Sequence, residues 1–460
     1  MVFSSFEFLF YFLPLFLAIY YLLPHRYRNA CLCVFSLCFY AFGCLSEPLY
    51  LLLLLASVLV CYGAGRMVGG CHKHRGLFLT VALILLLGSL FLFKYAGFFT
   101  ANLRGLFPAF PLLSFVLPIG ISFYTFQEIS YLVDVYRNEL PPEKNLLTLT
   151  TYIVMFPQLI AGPIVRYTEV QAQMRSRRAS VQSFISGLGA FTAGLGYKVL
   201  LANRLGGLWQ AAEGIGYESI STPLAWFCAV GYSLQIYFDF YGYSRMAVGL
   251  GQMMGFSLPE NFRLPYLSIS VTEFWRRWHI TLGSWFKSYV YIPLGGSRKG
   301  MARTVLNLLI VWLLTGLWHG ADWNFVLWGL FMFTLISIEK LGLLKVLERR
   351  PVFGHLYMLV LIPVSWVLFA ADGLSGLWIY LQRLAGFGGV NVFAGDILKY
   401  AKQYGLFVIA GCLLSLGLHT KLYQRISHKW VRFLLMAAVF AGSVYCIYMG
   451  MNDPFLYFRF

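Results

Sequence analysis

Charge is what this 460-residue chain has least of. Asp, Glu, Lys and Arg together make up 12% of it, where a soluble domain carries about a quarter. Acidic residues are rarest: 18, against 35 Lys and Arg, for a net charge of +17. So few charges exclude an ordinary water-soluble domain and a charge-rich disordered chain. The positive balance does not point to nucleic acid, because the basic residues sit in short loops between apolar runs. They fit the positive-inside bias and contact with anionic headgroups, and they also suit an anionic cytosolic substrate. The nine cysteines show no disulfide framework and are odd in number. The stretch "CHKH" (Cys71, His72, His74) has half the donors of a zinc site and no visible second half, so no metal is expected. Several enzyme signatures are missing: the Gly-x-Ser-x-Gly elbow, HExxH, and GxGxxG between strand and helix. "GGSRKG" lacks the spacing of a phosphate-binding P-loop.

What is abundant is apolar and aromatic mass, at 59% hydrophobic and 18% aromatic. Apolar runs fall near 7–24, 30–45, 47–64, 77–99, 112–134, 147–163, 184–202, 222–240, 304–320, 323–339, 355–371, 404–419 and 433–450. Short runs such as 147–163 suit re-entry, leaving about 11 crossings. The sequence thus reads as an all-α polytopic membrane protein in a single domain, 1–460, with no solenoid or inverted repeat. The opening "MVFSSFEFLFYFLPLFLAIYYLLP" lacks a basic n-region and a cleavage site, and reads as a retained first helix. Clusters around Arg26, Arg75, Arg175, Arg276–Arg303, Lys340–Arg350 and Lys421–Arg432 face the cytosol. The less basic stretches 204–221 and 373–402, and both termini, come out on the external side.

Residues 260–303 are too polar to span. Trp275, Trp278, His279, Leu282 and Phe286 recur there at spacings of three and four. That spacing predicts one face of an amphipathic helix lying at, or dipping into, the cytosolic interface. Pro293, Gly295 and Gly296 end it.

Six of the eight histidines lie in basic loops or at membrane boundaries, where solvation explains them. His319 follows "VWLLTGLW", which has no ionisable side chain. An ionisable group at such depth faces a cavity or the bundle interior. It is either a neutral imidazole bonded between helices or a general base, a task its unperturbed pKa of about 6.5 suits. His279 is either an interfacial packing residue or, beside Arg276 and Arg277, a neighbour of an anionic substrate. Asp239 and Glu273 are isolated carboxylates in aromatic surroundings and do not by themselves make a glycosidase pair.

"EFWRRWHITL…YIPLGGSRKG" followed by "LLTGLWHGADWNFVLWG" resembles the membrane-bound O-acyltransferase family, in its bacterial alginate O-acetyltransferase-like branch. "MFPQLIAGPIVRY" (155–167), "GYSLQIYFDFYGYSRMAVGLG" (231–251), the opening and the ending "DPFLYFRF" carry the likeness from residue 1 to 460. It implies a ring of helices around a central funnel, with His319 of "WHG" at the narrow point and His279 of "RRWHI" as the second histidine. It implies a multi-pass enzyme of the bacterial inner (plasma) membrane that acylates exopolysaccharide or cell-wall polymers. The donor is a cytosolic acyl-thioester, acetyl-CoA first, used as substrate with no cofactor held permanently. The partner is an extracellular acyl-accepting protein of SGNH or alginate-acetylation type. D-alanyl transfer to teichoic acid, from an acidic cytosolic carrier protein, is the second reading. A non-catalytic export scaffold is the third, although the midplane broken helices of transporters are not evident.

On this reading His319 takes the hydroxyl proton. Trp318, Trp323 and Asn324 line the cavity, with Asn324 an oxyanion donor. Trp275, Arg276, Arg277, Trp278 and His279 hold the thioester, and Lys287, Arg298 and Lys299 either attract its phosphates or only mark the cytosolic side. Three departures from the branch pattern bear on the acceptor: Tyr241 and Arg245 replace Ser and Asp, Ser288 replaces Asp, and "VLWGLFMF" lacks a following His.

Overall fold

The structure, a computed structural model, describes residues 1–70, 73–160, 162–389, 392–393, 395–451 and 455–456. Cys71 and His72 of the "CHKH" stretch, and most of the C-terminal "DPFLYFRF", lie outside the described residues. The described residues form helices and no strand. The protein is a polytopic membrane protein. Among the described residues, seven helices are long and apolar enough to cross a bilayer: Leu49–Gly70, Arg75–Leu106, Val181–Ile215, Met301–His319, Pro351–Ala370, Asp396–Ser415 and Lys429–Tyr448.

The difference from the sequence reading lies in particular segments. The run at 112–134 is not one helix, because Pro111, Pro118 and Gly120 keep its first part irregular and Ile121–Tyr136 starts only after Gly120, at φ 75°. That helix is buried almost along its whole length and carries Gln127, Glu128 and Asp134 inward. The run at 147–163 breaks at Met155 into Leu146–Val154 and Phe156–Leu159. Residues 204–215, expected in an external loop, continue the Val181–Ile215 helix. Thr222–Met254 is 33 residues long but carries Gln235, Asp239 and Arg245.

The chain divides into two compact units, Met1–Phe191 with Ser244–Pro259, and Thr192–Tyr243 with Glu260–Phe460. In the first, the "MFPQL" turn drives Phe156 into a knot of phenylalanines, 5.3 Å from Phe16, 5.5 Å from Phe12 and 5.7 Å from Phe39 between ring centres. The Phe12 and Phe16 rings meet Phe156 edge-on, a geometry that adds attraction beyond the area buried. Arg177 is buried there, donating to the Tyr20 hydroxyl at 2.9 Å and to Asn29 Oδ1 at 2.6 Å.

In the second unit, Lys198 and Asp239 form a buried ion pair at 2.6 Å, and the other carboxylate oxygen of Asp239 accepts the Leu456 N–H at 2.8 Å. A charge pair this dry needs further hydrogen bonds to offset its desolvation, and the Leu456 N–H supplies one. Met301–His319 and Trp323–Ile338 form a tight helical hairpin. A β-carbon on Gly316 or Gly329 would run into the facing Phe325 or Trp312 carbonyl, so bare backbone is what lets these helices cross so closely.

Candidate active site

Both singled-out histidines belong to the second unit. His319 is the last residue of Met301–His319 and is buried. The helix stops because Gly320 is extended, at φ −166° and ψ 155°, and no side chain could replace its hydrogen without striking the Phe325 ring. The imidazole is walled edge-on by Trp318 at 5.0 Å, Trp328 at 5.1 Å and Phe369 at 5.2 Å.

His279 reaches its place differently. The expected continuous amphipathic helix through Trp275, Trp278, His279, Leu282 and Phe286 is not formed. Val271–Arg277 ends, and Ile280–Phe286 begins afresh. Between them His279 has a left-handed backbone, φ 43° and ψ 53°, which is uncommon for a residue with a β-carbon. Asn261 holds this break. Its carbonyl accepts the Ile280 N–H at 3.0 Å, and its side chain accepts the Thr281 hydroxyl at 2.6 Å. The Arg263 N–H closes the other side on the Arg277 carbonyl at 2.9 Å. The kink rotates His279 into the interior, where 1% of its surface remains accessible. Its ring lies 4.7 Å from Phe240 and 5.9 Å from Trp318. Burial pushes its pKa down to about 3, so the imidazole is neutral in the physiological range.

The indole of Trp318 therefore contacts both imidazoles. Trp328 extends the wall from His319 to Trp275 (5.4 Å), and Trp366 continues it to Trp278 (4.9 Å). Trp275 and Trp278 thus join the histidines. Asn324 is also buried, and its amide nitrogen donates to the Ala371 carbonyl, which commits one of its two N–H groups. Trp323 is nearly half exposed, at 47%. Arg276 is exposed, and Arg277 is paired with Glu273 at 2.5 Å. Asp239 and Glu273 each have a cationic partner of their own, Lys198 and Arg277.

Phe240, Trp328, Trp366 and Phe369 were not singled out in the sequence. The signal was present as aromatic density in "YFDFYGY" and "SWVLF", but a stripe of aromatics at helical spacing is as common in a plain core. Asn261 gave no signal, because its role depends on a kink that periodicity does not reveal.

A family model for the membrane-bound O-acyltransferases matches residues 137–345, which include both histidines. A probable alginate O-acetylase of Pseudomonas putida is 37% identical over 495 aligned residues, covering 100% of both chains. The chain belongs to the membrane-bound O-acyltransferase family. It is an O-acyltransferase, and its family relatives include a probable alginate O-acetylase of Azotobacter vinelandii, 40% identical over 398 residues (84% of this chain, 79% of the relative). A peptidoglycan O-acetyltransferase of Helicobacter pylori is 30% identical over 521 residues (100% and 98%).

Proposed function

We propose that this O-acyltransferase moves an acetyl group from a cytosolic thioester, acetyl-CoA, to a hydroxyl of a bacterial exopolysaccharide or cell-wall polymer through an extracellular acyl-accepting protein. The polymer acceptors named for the relatives support the acceptor class. The observation that carries the reading is the Trp318 indole set against both imidazoles inside an aromatic interior. The acceptor oxygen attacks the thioester carbonyl carbon, the carbon–sulfur bond breaks, and the hydroxyl proton passes by way of His319 to the departing sulfur. Positioned general-base catalysis of this kind contributes about 10²–10⁴-fold. His279, held neutral by burial, is suited to a hydrogen bond with the bound thioester and not to storing the proton. Trp275, Trp278 and Trp318 exclude water, which would hydrolyse the donor. Asn324 has its second N–H for the oxyanion. In the same reading the long helices and shorter segments together make about 11 crossings around a funnel. Only the small neutral acyl group then crosses the membrane interior, and the phosphates of the donor stay in water.

The test is to give membranes holding the protein acetyl-CoA labelled in the acetyl group and to trace the label. It should pass to the polymer or to the acyl-accepting protein, and His319→Ala should abolish transfer while the chain still inserts. Undiminished transfer by that variant would remove His319 from the mechanism. Label that never leaves acetyl-CoA in the wild type would remove the donor.

A further inference from the structure

The helix that delivers His279 is clasped at its start by a residue far along the chain. Glu339 follows the Trp323–Ile338 helix and is completely buried. Its two carboxylate oxygens accept the N–H groups of Val271 at 2.6 Å and Thr272 at 2.8 Å. The next N–H, of Glu273, is taken by Ser270 Oγ at 3.1 Å. The first donors of a helix have no partner within it, and the helix dipole favours negative charge at that end. Here one remote carboxylate takes two of them. Among the described residues no Lys or Arg nitrogen forms an ion pair with Glu339; its charge faces the start of Val271–Arg277 and the Tyr357 hydroxyl. A second fastening lies one turn on, where the Trp275 indole N–H points to Met332 Sδ at 3.3 Å. The Trp323–Ile338 helix and the Glu339 that follows it thus touch the His279 segment at Trp328, Met332 and Glu339, and through Trp328 the helix also touches His319.

We propose that Glu339 is a positioning residue for acyl transfer: by gripping the start of Val271–Arg277 it fixes where that helix ends, and so sets His279 relative to His319. The inference rests on the donor-side role given to His279 above. A carboxylate does this where an amide cannot. Both backbone groups are donors, and a glutamine would turn its own NH2 against one of them. Loss of one charge-assisted hydrogen bond here should cost about tenfold in rate.

The experiment is a double-mutant cycle on the full-length chain in membranes, with kcat and KM measured for acetyl-CoA. Glu339→Gln alone should lower kcat/KM about tenfold, while in a His279→Ala background it should add less than about twofold, since both changes disable one unit. Val271→Pro provides a second handle should Glu339→Gln fail to insert. It deletes one donor to Glu339 at a first-turn position that accepts proline, and Ser270 is already extended (φ −147°, ψ 156°) as a residue before proline must be. It should reproduce the Glu339→Gln loss. Wild-type kinetics in both variants, or losses that multiply fully with His279→Ala, overturn the role of Glu339. Wild-type activity in His279→Ala alone would instead overturn the role of His279, so the two failures are distinguishable.

Discussion

The two histidines are buried against one indole but are placed by opposite means. His319 ends a regular helix of 19 residues, and its position follows from helix geometry plus one close backbone crossing. His279 sits in a left-handed link between two seven-residue helices, a conformation costing roughly 1–2 kcal/mol for a residue with a side chain. It is held by polar anchors remote in sequence, Asn261 and Glu339. A site built on a continuous helix is robust to local change and sensitive at its packing contact. A site built on a kink depends on each anchor and leaves the backbone strained. The same chemistry can therefore fail in two distinguishable ways.

The largest effect should come from the crossing beneath His319. Gly316→Leu forces a side chain against the Phe325 carbonyl, where none fits. Overpacking of this kind costs about 1–3 kcal/mol or more. The variant should lose acetyl transfer and melt well below wild type in detergent, with Gly316→Ala intermediate in both. A Gly316→Leu protein that melts and transfers normally would show that the crossing does not place His319.

Substitutions at His279 should divide by backbone preference. Asn tolerates the left-handed region and Ala does not. His279→Asn should therefore melt closer to wild type than His279→Ala, by about 1 kcal/mol in stability. Both should transfer less acetyl than wild type, His279→Asn the more active of the two, and neither as low as His319→Ala. Equal stability of the two variants would mean that the left-handed link carries no strain.

The same contrast explains how much was legible in the sequence. An ionisable residue closing an apolar run is a local anomaly, so His319 stood out, and adjacency in sequence placed Trp318 next to it. The spacing of Trp275, Trp278, His279, Leu282 and Phe286 fits a helix equally well, yet the chain kinks at His279 because Asn261 supplies acceptors that an unbroken helix would not need. Periodicity reports which residues are apolar, and a break enforced by a distant side chain leaves no trace in it. Trp323 differs from Trp318: adjacency to His319 suggests a cavity wall for both, but Trp323 lies beyond the extended Gly320 at the start of the next helix and keeps nearly half its surface exposed. In the other unit, Ile121–Tyr136 was hidden inside a longer apolar run, because Pro118 and Gly120 divide it while hydropathy averages across them.

The smallest effect is in the pH dependence of stability. Burial pushes the His279 pKa down to about 3 in the folded protein, against about 6.5 in an unfolded chain. Between those values the unfolded chain binds the extra proton, so this residue lowers stability as pH falls through 6.5 and the full cost is present only below 3. His279→Asn has no such group. The gap in melting temperature between wild type and His279→Asn should therefore narrow by about a few degrees from pH 7 to pH 5. Within the same window His279 should add no inflection to the pH–rate profile, because the folded imidazole does not change charge there. Melting curves that stay parallel from pH 7 to pH 5 would mean that water reaches this imidazole. That would erase the contrast between a strained, desolvated histidine and one set at a helix end.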